Sequence, residues 1–484
     1  MRYNFLSLLF SSSLLPATTA CQVGPVVPEF DQAELLPGGE GSVGTVPFPS
    51  SELPARNLPQ EERPDFFAGK ALAHQPWVKA PTITDARDGL GPLYNARTCL
   101  ACHFEGGRGH IADDSSTPLI SSILRLSVPG QDEKQGAVPE PNYGSQLQTQ
   151  STDLSHQLKD LVDVEIEAVV PAEAEVRVEW AEDEFVYPDG LAVALRHPNV
   201  MLNELGYGAL APNVLTSLRV APPIHGMGLI ELIPQAEIDL WIDEDDADAD
   251  GISGRANWVW DVRSQKSLPG RFGYKANQST LEQAVAAAFS GDLGISSSLF
   301  PDQPCSPSQV GCLRELTGNN EDGLELPDDL LELVVNFNRN LGVPQRSEKL
   351  RESTMSGRRF FYELGCSSCH RPSYRTSANQ TQPHLGEQLI WPYSDFLIHD
   401  MGESLSDHRP DYQARGSEWR TTPLWGLGVS AEVSGEESYL HDGRARTIEE
   451  AILWHGGEAG QARERFTLLN AEERQNLIDF LGSL

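Results

Sequence analysis

The 484-residue sequence predicts a mainly α fold, in which two compact units are joined by loop-rich connections and interrupted by a β-containing insertion. Three observations predict it. The pattern C-x-x-C-H occurs twice, at Cys99–His103 and at Cys366–His370, which points to two related units. The last third reads as helix: "KLRESTMSGRRFFYELG" runs directly into the second motif, and the closing "NAEERQNLIDFLGSL" places Leu477, Ile478, Leu481 and Leu484 on one face, with Asn470 and Glu473 spaced for a capping box. Between the motifs, "VDVEIEAVVPAEAEVRVEWAEDEFVYPDG" alternates apolar and polar residues, the period of two or three strands.

In chain order, residues 1–20 read as a signal peptide. Arg2 supplies a positive start, and "FLSLLFSSSLLPA" is an apolar core too short to span a bilayer. Small residues then lead to Cys21. Cleavage near Ala20 would release the chain. Alternatively Cys21 becomes a lipidated N-terminus, although Thr18 stands where such signals usually carry Leu. Both readings export the protein to the periplasm or cell envelope. Residues 21–62 are rich in Pro, Gly and acid without helical period, the composition of a partly disordered linker. Structure is expected from residue 63, with an N-terminal unit over 63–340 that holds the insertion and a C-terminal unit over 341–484. No later stretch is long and apolar enough to cross a membrane.

The formal net charge is −34, from 70 acidic against 36 basic residues. A chain this acidic repels nucleic acid and anionic lipid headgroups, which excludes those partner classes and favours a basic protein partner or a solvated surface. Of the seven cysteines, four belong to the motifs. Cys305 and Cys312 bracket a short polar loop and are candidates for a disulfide, which an exported protein can keep. Cys21 is left over, as the lipid reading requires.

C-x-x-C-H is the attachment motif of c-type haem. The thiols bond the macrocycle, and the adjacent histidine reaches the iron. Zinc would require a second Cys/His pair near each motif, and neither has one. The expected cofactor is therefore two covalent haems, held by Cys99, Cys102 and His103 and by Cys366, Cys369 and His370, with both histidines as iron ligands. A helix before "CSSCH" and another at the end is the cytochrome c plan. The sixth ligand of the second haem would come from the region between them, where His384, His399, Met401, His408, His441 and His455 are candidates.

"GLGPLYNARTCLACH", "DADADGISGR", "GRFGYKA", "LGCSSCH", "HDMGE", "EWRTTPLWGLG" and "LHDGRARTIEEAILWHGGEA" together resemble the bacterial di-haem oxidoreductase family of candidate peroxidases, which is distantly similar to di-haem cytochrome c peroxidases. The resemblance runs from about residue 65 to the end. In those peroxidases the residue fourteen after the histidine of a similar H-D-G stretch is a methionine ligating the C-terminal haem. Here the position is His455, so the resemblance implies a bis-histidine haem, His370 on one face and His455 on the other, with Met401 as rival ligand. His441 is read as a turn or propionate contact. Exchanging Met for the more basic imidazole lowers a haem potential.

The resemblance also implies the activity: an oxidoreductase passing electrons between two haems. They would enter at the C-terminal haem from a small cytochrome or cupredoxin and leave at the N-terminal haem to a small oxidant, hydrogen peroxide foremost. Trp419 and Trp425 could couple the haems or serve as core. "RVAPPIHGMGLIELIP" sits where the peroxidases carry distal residues, which makes Glu231 and His225 the candidate catalytic groups. His225, Met227 or His110 could instead close that iron, and the protein would then be a non-catalytic electron carrier with both irons six-coordinate. Finally, D-x-D-x-D-G at Asp246, Asp248 and Asp250 is a candidate calcium loop. Asn257 stands where an EF-hand needs Glu, and an acidic solvated loop is the alternative.

Overall fold

The longer helices are α1 (Arg63–His74), α2 (Leu281–Leu293), α3 (Asp328–Arg339), α4 (Glu352–Glu363), α5 (Ile448–Trp454), α6 (Gly460–Thr467) and α7 (Ala471–Leu481). The computed structural model describes residues 26–44, 52–83, 87–153, 170–318, 323–346 and 351–484; the expected signal segment and Cys21 lie outside the described residues. Local sequence sets the helix ends. Thr280 and Thr447 accept hydrogen bonds from the third helical amide of α2 and α5, and Gly294 ends α2 in the left-handed conformation at φ 68°. The capping box of α7 forms between Asn470 and Glu473.

Two crossed helix pairs organise the fold. α1, upstream of the first motif, packs on α3; α4, immediately before the second motif, packs on α7. Both crossings depend on a glycine. A Cβ on Gly69 would lie 1.9 Å from the Leu333 carbonyl oxygen and 2.9 Å from Phe337 Cβ. A Cβ on Gly357 would lie 1.8 Å from the Asn476 carbonyl oxygen and 2.8 Å from Phe480 Cβ. The pattern is the same twice: a glycine on the first helix, and a carbonyl and an aromatic ring four residues apart on the second. Phe337 and Phe480 are fully buried. Around α4 and α7 the rings of Phe361, Tyr393 and Phe480 pack edge-on or tilted within 5.4–6.1 Å. Ring pairs of this kind add about 0.5–1.5 kcal/mol to the burial of their area.

The mainly α expectation fails. The described residues are 29% helical and 18% strand, and every sheet among them has two strands. With 42 glycines and 34 prolines, helical runs are cut short, and side chains satisfy the backbone that helices would otherwise pair. Glu140, for example, is 1% exposed and accepts from the amides of Asn142, Tyr143 and Ala211.

The insertion contains a long hairpin, Glu175–Val186 antiparallel to Ala192–Asn203, and a second ladder, Ser122–Ser127 with Leu215–Val220. The alternating sequence accounts for the first hairpin strand; residues 162–169 of that stretch lie outside the described residues.

Residues 26–44, assigned to a linker by composition, are packed. The Glu34 side chain is fully buried and accepts from Arg346, Arg358 and the Tyr393 hydroxyl, while the Val43 amide donates to the Val343 carbonyl. One buried carboxylate facing two guanidiniums fastens this segment to the C-terminal region, a feature that a count of Pro and Gly does not reveal. Cys305 and Cys312 form a disulfide with Cα atoms 5.9 Å apart.

Candidate functional site

The first motif is a single helical turn, Cys99–Cys102, capped by Thr98. The Cys99 thiol is pushed up to about 12 and the Cys102 thiol higher still, in both cases first by burial and then by the nearby Asp292 carboxylate. The His103 ring donates from Nδ1 to the Pro222 carbonyl at 2.7 Å, and burial lowers its pKa. The second motif follows α4 through Gly365, which has φ 92° and turns the chain without strain. His370 Nδ1 donates to the Tyr393 carbonyl at 2.9 Å, and burial brings its pKa down to about 4. His455, the residue just after α5, donates from Nδ1 to the Ala451 carbonyl at 2.7 Å and is likewise lowered by burial.

These three imidazoles share one electronic state. Each is neutral with its proton held on Nδ1 by a backbone carbonyl, so Nε2 keeps its lone pair. This is the tautomer and orientation that a metal-ligating histidine requires. Cys366, Cys369, His370 and His455 all line one cavity of about 340 Å³, whose walls are mostly apolar, with Phe361, Leu424, Leu427, Phe466 and Leu477 among them. Thiols, two ligand-ready imidazoles and an apolar slot are what a haem needs, so the donor set fits the group.

The rival ligands differ in their surroundings, and Met401 and His441 line the same cavity as His370 and His455. His399 lines the same cavity, but both its nitrogens are engaged: Nδ1 with Glu458 at 2.6 Å and Nε2 with Asp395 at 2.9 Å. Burial opposes its charge, yet the Asp395 carboxylate holds its pKa well above the usual histidine range, and an imidazolium has no lone pair for iron. His384 is tied to Asn340, and His408 is an exposed residue near Glu403. His441 stacks on Trp419 with ring centroids 3.6 Å apart, and Met401 also lines the cavity. Trp425 is core, packed against Gly226 and Val343.

The stretch expected to bear distal residues lies against the first motif. The Pro222 carbonyl grips the His103 ring from behind, and the Ile224 amide donates to the Gly106 carbonyl, so this segment supports the motif histidine. His225 is buried and its Nε2 donates to the Trp425 carbonyl at 3.2 Å. Glu231 is paired with Arg339 Nε at 2.7 Å, on the face turned to α3. Met227 packs on the neighbouring apolar core, and His110, half-exposed, stands near Glu436.

The acidic loop gathers Asp243, Asp246 and Asp248, with ligand atoms within 4.8 Å of one another. Asp250 instead caps the Ile252 amide, and burial raises its pKa. Asp243 was missed because it precedes the D-x-D-x-D-G pattern by a turn that only the backbone closes. Arg108, Tyr274 and Arg420 were also missed. They line the cavity from three distant stretches, and no spacing links them.

The family described as "Di-haem oxidoreductase, putative peroxidase" matches residues 44–484. The chain belongs to this family. As a member it is a haem-binding oxidoreductase, and its thiol–histidine motifs and neutral imidazoles are the groups suited to that cofactor. No curated protein matches the chain. Among solved structures, Kuenenia stuttgartiensis hydrazine synthase pressurised with 20 bar xenon is 14% identical over 87% of this chain and 92% of that chain, with a TM-score of 0.32, a likeness too weak to carry an argument. No described helix is long and apolar enough to cross a membrane.

Proposed function

We propose that this family member is an exported c-type cytochrome oxidoreductase with two covalent haems, passing electrons to hydrogen peroxide or a similar small oxidant. One haem would be held by Cys99 and Cys102 with His103 as its iron ligand. The other would be held by Cys366 and Cys369, with His370 and His455 as its iron ligands. The observation that carries the reading is the shared tautomer of His103, His370 and His455, with two of these imidazoles and both thiols of the second motif on one apolar cavity.

Haem iron supplies one-electron redox chemistry. The chain's own part is to orient the ligands: the carbonyls of Pro222, Tyr393 and Ala451 fix each ring and raise its basicity, which favours the ferric state. The division into units 63–340 and 341–484 is supported by the crossed helix pairs, one in each range. The Cys305–Cys312 disulfide supports an oxidising compartment, as export through residues 1–20 requires. A net charge of −34 supports a basic donor, a small cytochrome or cupredoxin.

A second reading is favoured by the second site itself. His370 and His455 both line its cavity, and if both were to bind that iron and the first iron were also closed, the protein would be an electron carrier. One set of measurements on protein from a haem-maturing host decides. The pyridine haemochrome assay is expected to return two equivalents, falling to one in Cys366→Ala/Cys369→Ala, and low-temperature EPR is expected to show a bis-histidine low-spin iron that His455→Met abolishes. Peroxide turnover with a reduced donor faster than free haem supports the enzyme. A rate no faster supports the carrier, and colourless protein ends both readings.

A further inference from the structure

Buried cations in this molecule generally face carboxylates. Arg444 meets Asp442, Arg219 and Arg409 meet Asp411, Lys275 meets Asp407, and Arg346 and Arg358 meet Glu34. Arg271 lacks a carboxylate partner but finds three backbone carbonyls and Gln235. Two guanidiniums differ. Arg108 and Arg420 are each only 9% exposed, and among the described residues neither has an ion pair. Arg108 donates to the Tyr274 hydroxyl at 3.1 Å and to the Leu440 carbonyl at 2.9 Å. Arg420 donates to the Gly273 carbonyl at 2.8 Å and, at 3.5 Å, to its neighbour's carbonyl. Five N–H groups on each side chain are thus served by a few neutral acceptors, and each guanidinium is largely buried with no carboxylate in ion-pair contact among the described residues.

Both side chains, with Tyr274, line the cavity that holds Cys366, Cys369, His370 and His455. We infer that Arg108, Tyr274 and Arg420 form a carboxylate receptor whose occupant is the propionate edge of the haem attached at the second motif. The inference rests on the haem reading above. Guanidinium forks match carboxylates in shape and charge. Tyr274 accepts from Arg108, which leaves its own proton to donate to a carboxylate oxygen. A haem held by the Cys366 and Cys369 thiols and by His370 and His455 would carry its two carboxylates within the cavity that Arg108 and Arg420 also line.

The assignment has a consequence for coupling. Arg108 comes five residues after His103, on the loop of the first motif. The loop that follows His103 thereby lends a charge to the cavity of the second motif.

A free carboxylate is the other source of the same chemistry, and the test separates the two. Arg420→Gln and Arg108→Gln are compared with Arg420→Lys and Arg108→Lys as haem-loaded proteins. The readouts are the haem count, the potential of the bis-histidine haem by spectroelectrochemistry, and the response of the wild-type spectrum to acetate. A cation beside a haem disfavours the ferric state, so each Gln variant is expected to hold two haems and to lower the second potential by about 59 mV, a tenfold change in the one-electron reduction constant. The Lys variants are expected to recover most of it, and acetate is expected to leave the wild type unchanged because the receptor is already filled. Full haem with an unmoved potential in the Gln variants overturns the inference, as does saturable binding of acetate by the wild type. Wild-type protein without haem at the second motif refutes instead the reading on which the inference stands. Arg108 and Arg420 lie on separate segments, so a folding failure in one variant leaves the other to decide.

Discussion

The helix pairs α1–α3 and α4–α7, whose first members precede the two motifs, are built alike, and the surroundings of the motifs are not. In both, a glycine lets a second helix approach until only a hydrogen fits, and a phenylalanine one turn further along closes the contact. Beyond that the regions diverge. The second motif opens on a cavity with a further imidazole on its wall, and the buried carboxylate of its region, Glu34, faces two arginines. The first is followed by the long insertion, where the buried Glu173 carboxylate accepts from the Gln148 amide and the Gln309 side chain and, among the described residues, has no ion pair. The repeated scaffold holds the motif, while the packing around it decides which charges are tolerated.

Glu34→Gln is the strongest challenge to this contrast. It strands Arg346 and Arg358 without their counter-charge, and a loss of about 3–5 kcal/mol is expected in denaturant unfolding of the loaded protein. An effect near zero would show that the N-terminal segment adds nothing to the second region. Next come Gly69→Ala and Gly357→Ala. Each methyl meets a backbone carbonyl that cannot turn aside, and a loss of roughly 3 kcal/mol is expected for either. Equal losses keep the two pairs equivalent, whereas a loss at one alone would break the parallel.

Glu173 is tested through the slope of stability against pH instead of a single loss. Burial raises its carboxyl to about 8, above the ordinary 4.5, despite the hydrogen bonds that oppose the shift. The folded chain therefore keeps a proton that the unfolded chain has released. Stability falls as pH rises from about 4.5 to about 8, by at most about 1.4 kcal/mol per pH unit, and is level on either side. Glu173→Gln should flatten that part of the profile of melting temperature against pH. An unaltered profile would mean that the carboxyl is already ionised in the fold.

The candidate site was legible where its chemistry is local. Cys99, Cys102 and His103, like Cys366, Cys369 and His370, fall within five consecutive residues, so each motif can be read from a short stretch of sequence. His455 was legible through spacing from His441, combined with a family likeness. Glu231 and His225 were singled out on position in the chain alone, and position says nothing about Arg339 or the Trp425 carbonyl, which engage them. The mainly α expectation came from the helices bordering the second motif and was extended to a middle region whose glycines, prolines and self-capping side chains keep it irregular.

The sequence by itself determined the two thiol–histidine motifs, the helix before the second motif, the capped terminal helix and the hairpin strand, since each depends on residues within a turn or two of one another. Only the tertiary structure decided the carbonyl that fixes each imidazole tautomer, the two carboxylates that make His399 a cation, and the meeting of Arg108 with Arg420 across one cavity. Hydrogen-bond direction and charge compensation act over a few ångströms of space, and residues that lie hundreds of positions apart become neighbours only when the chain has folded.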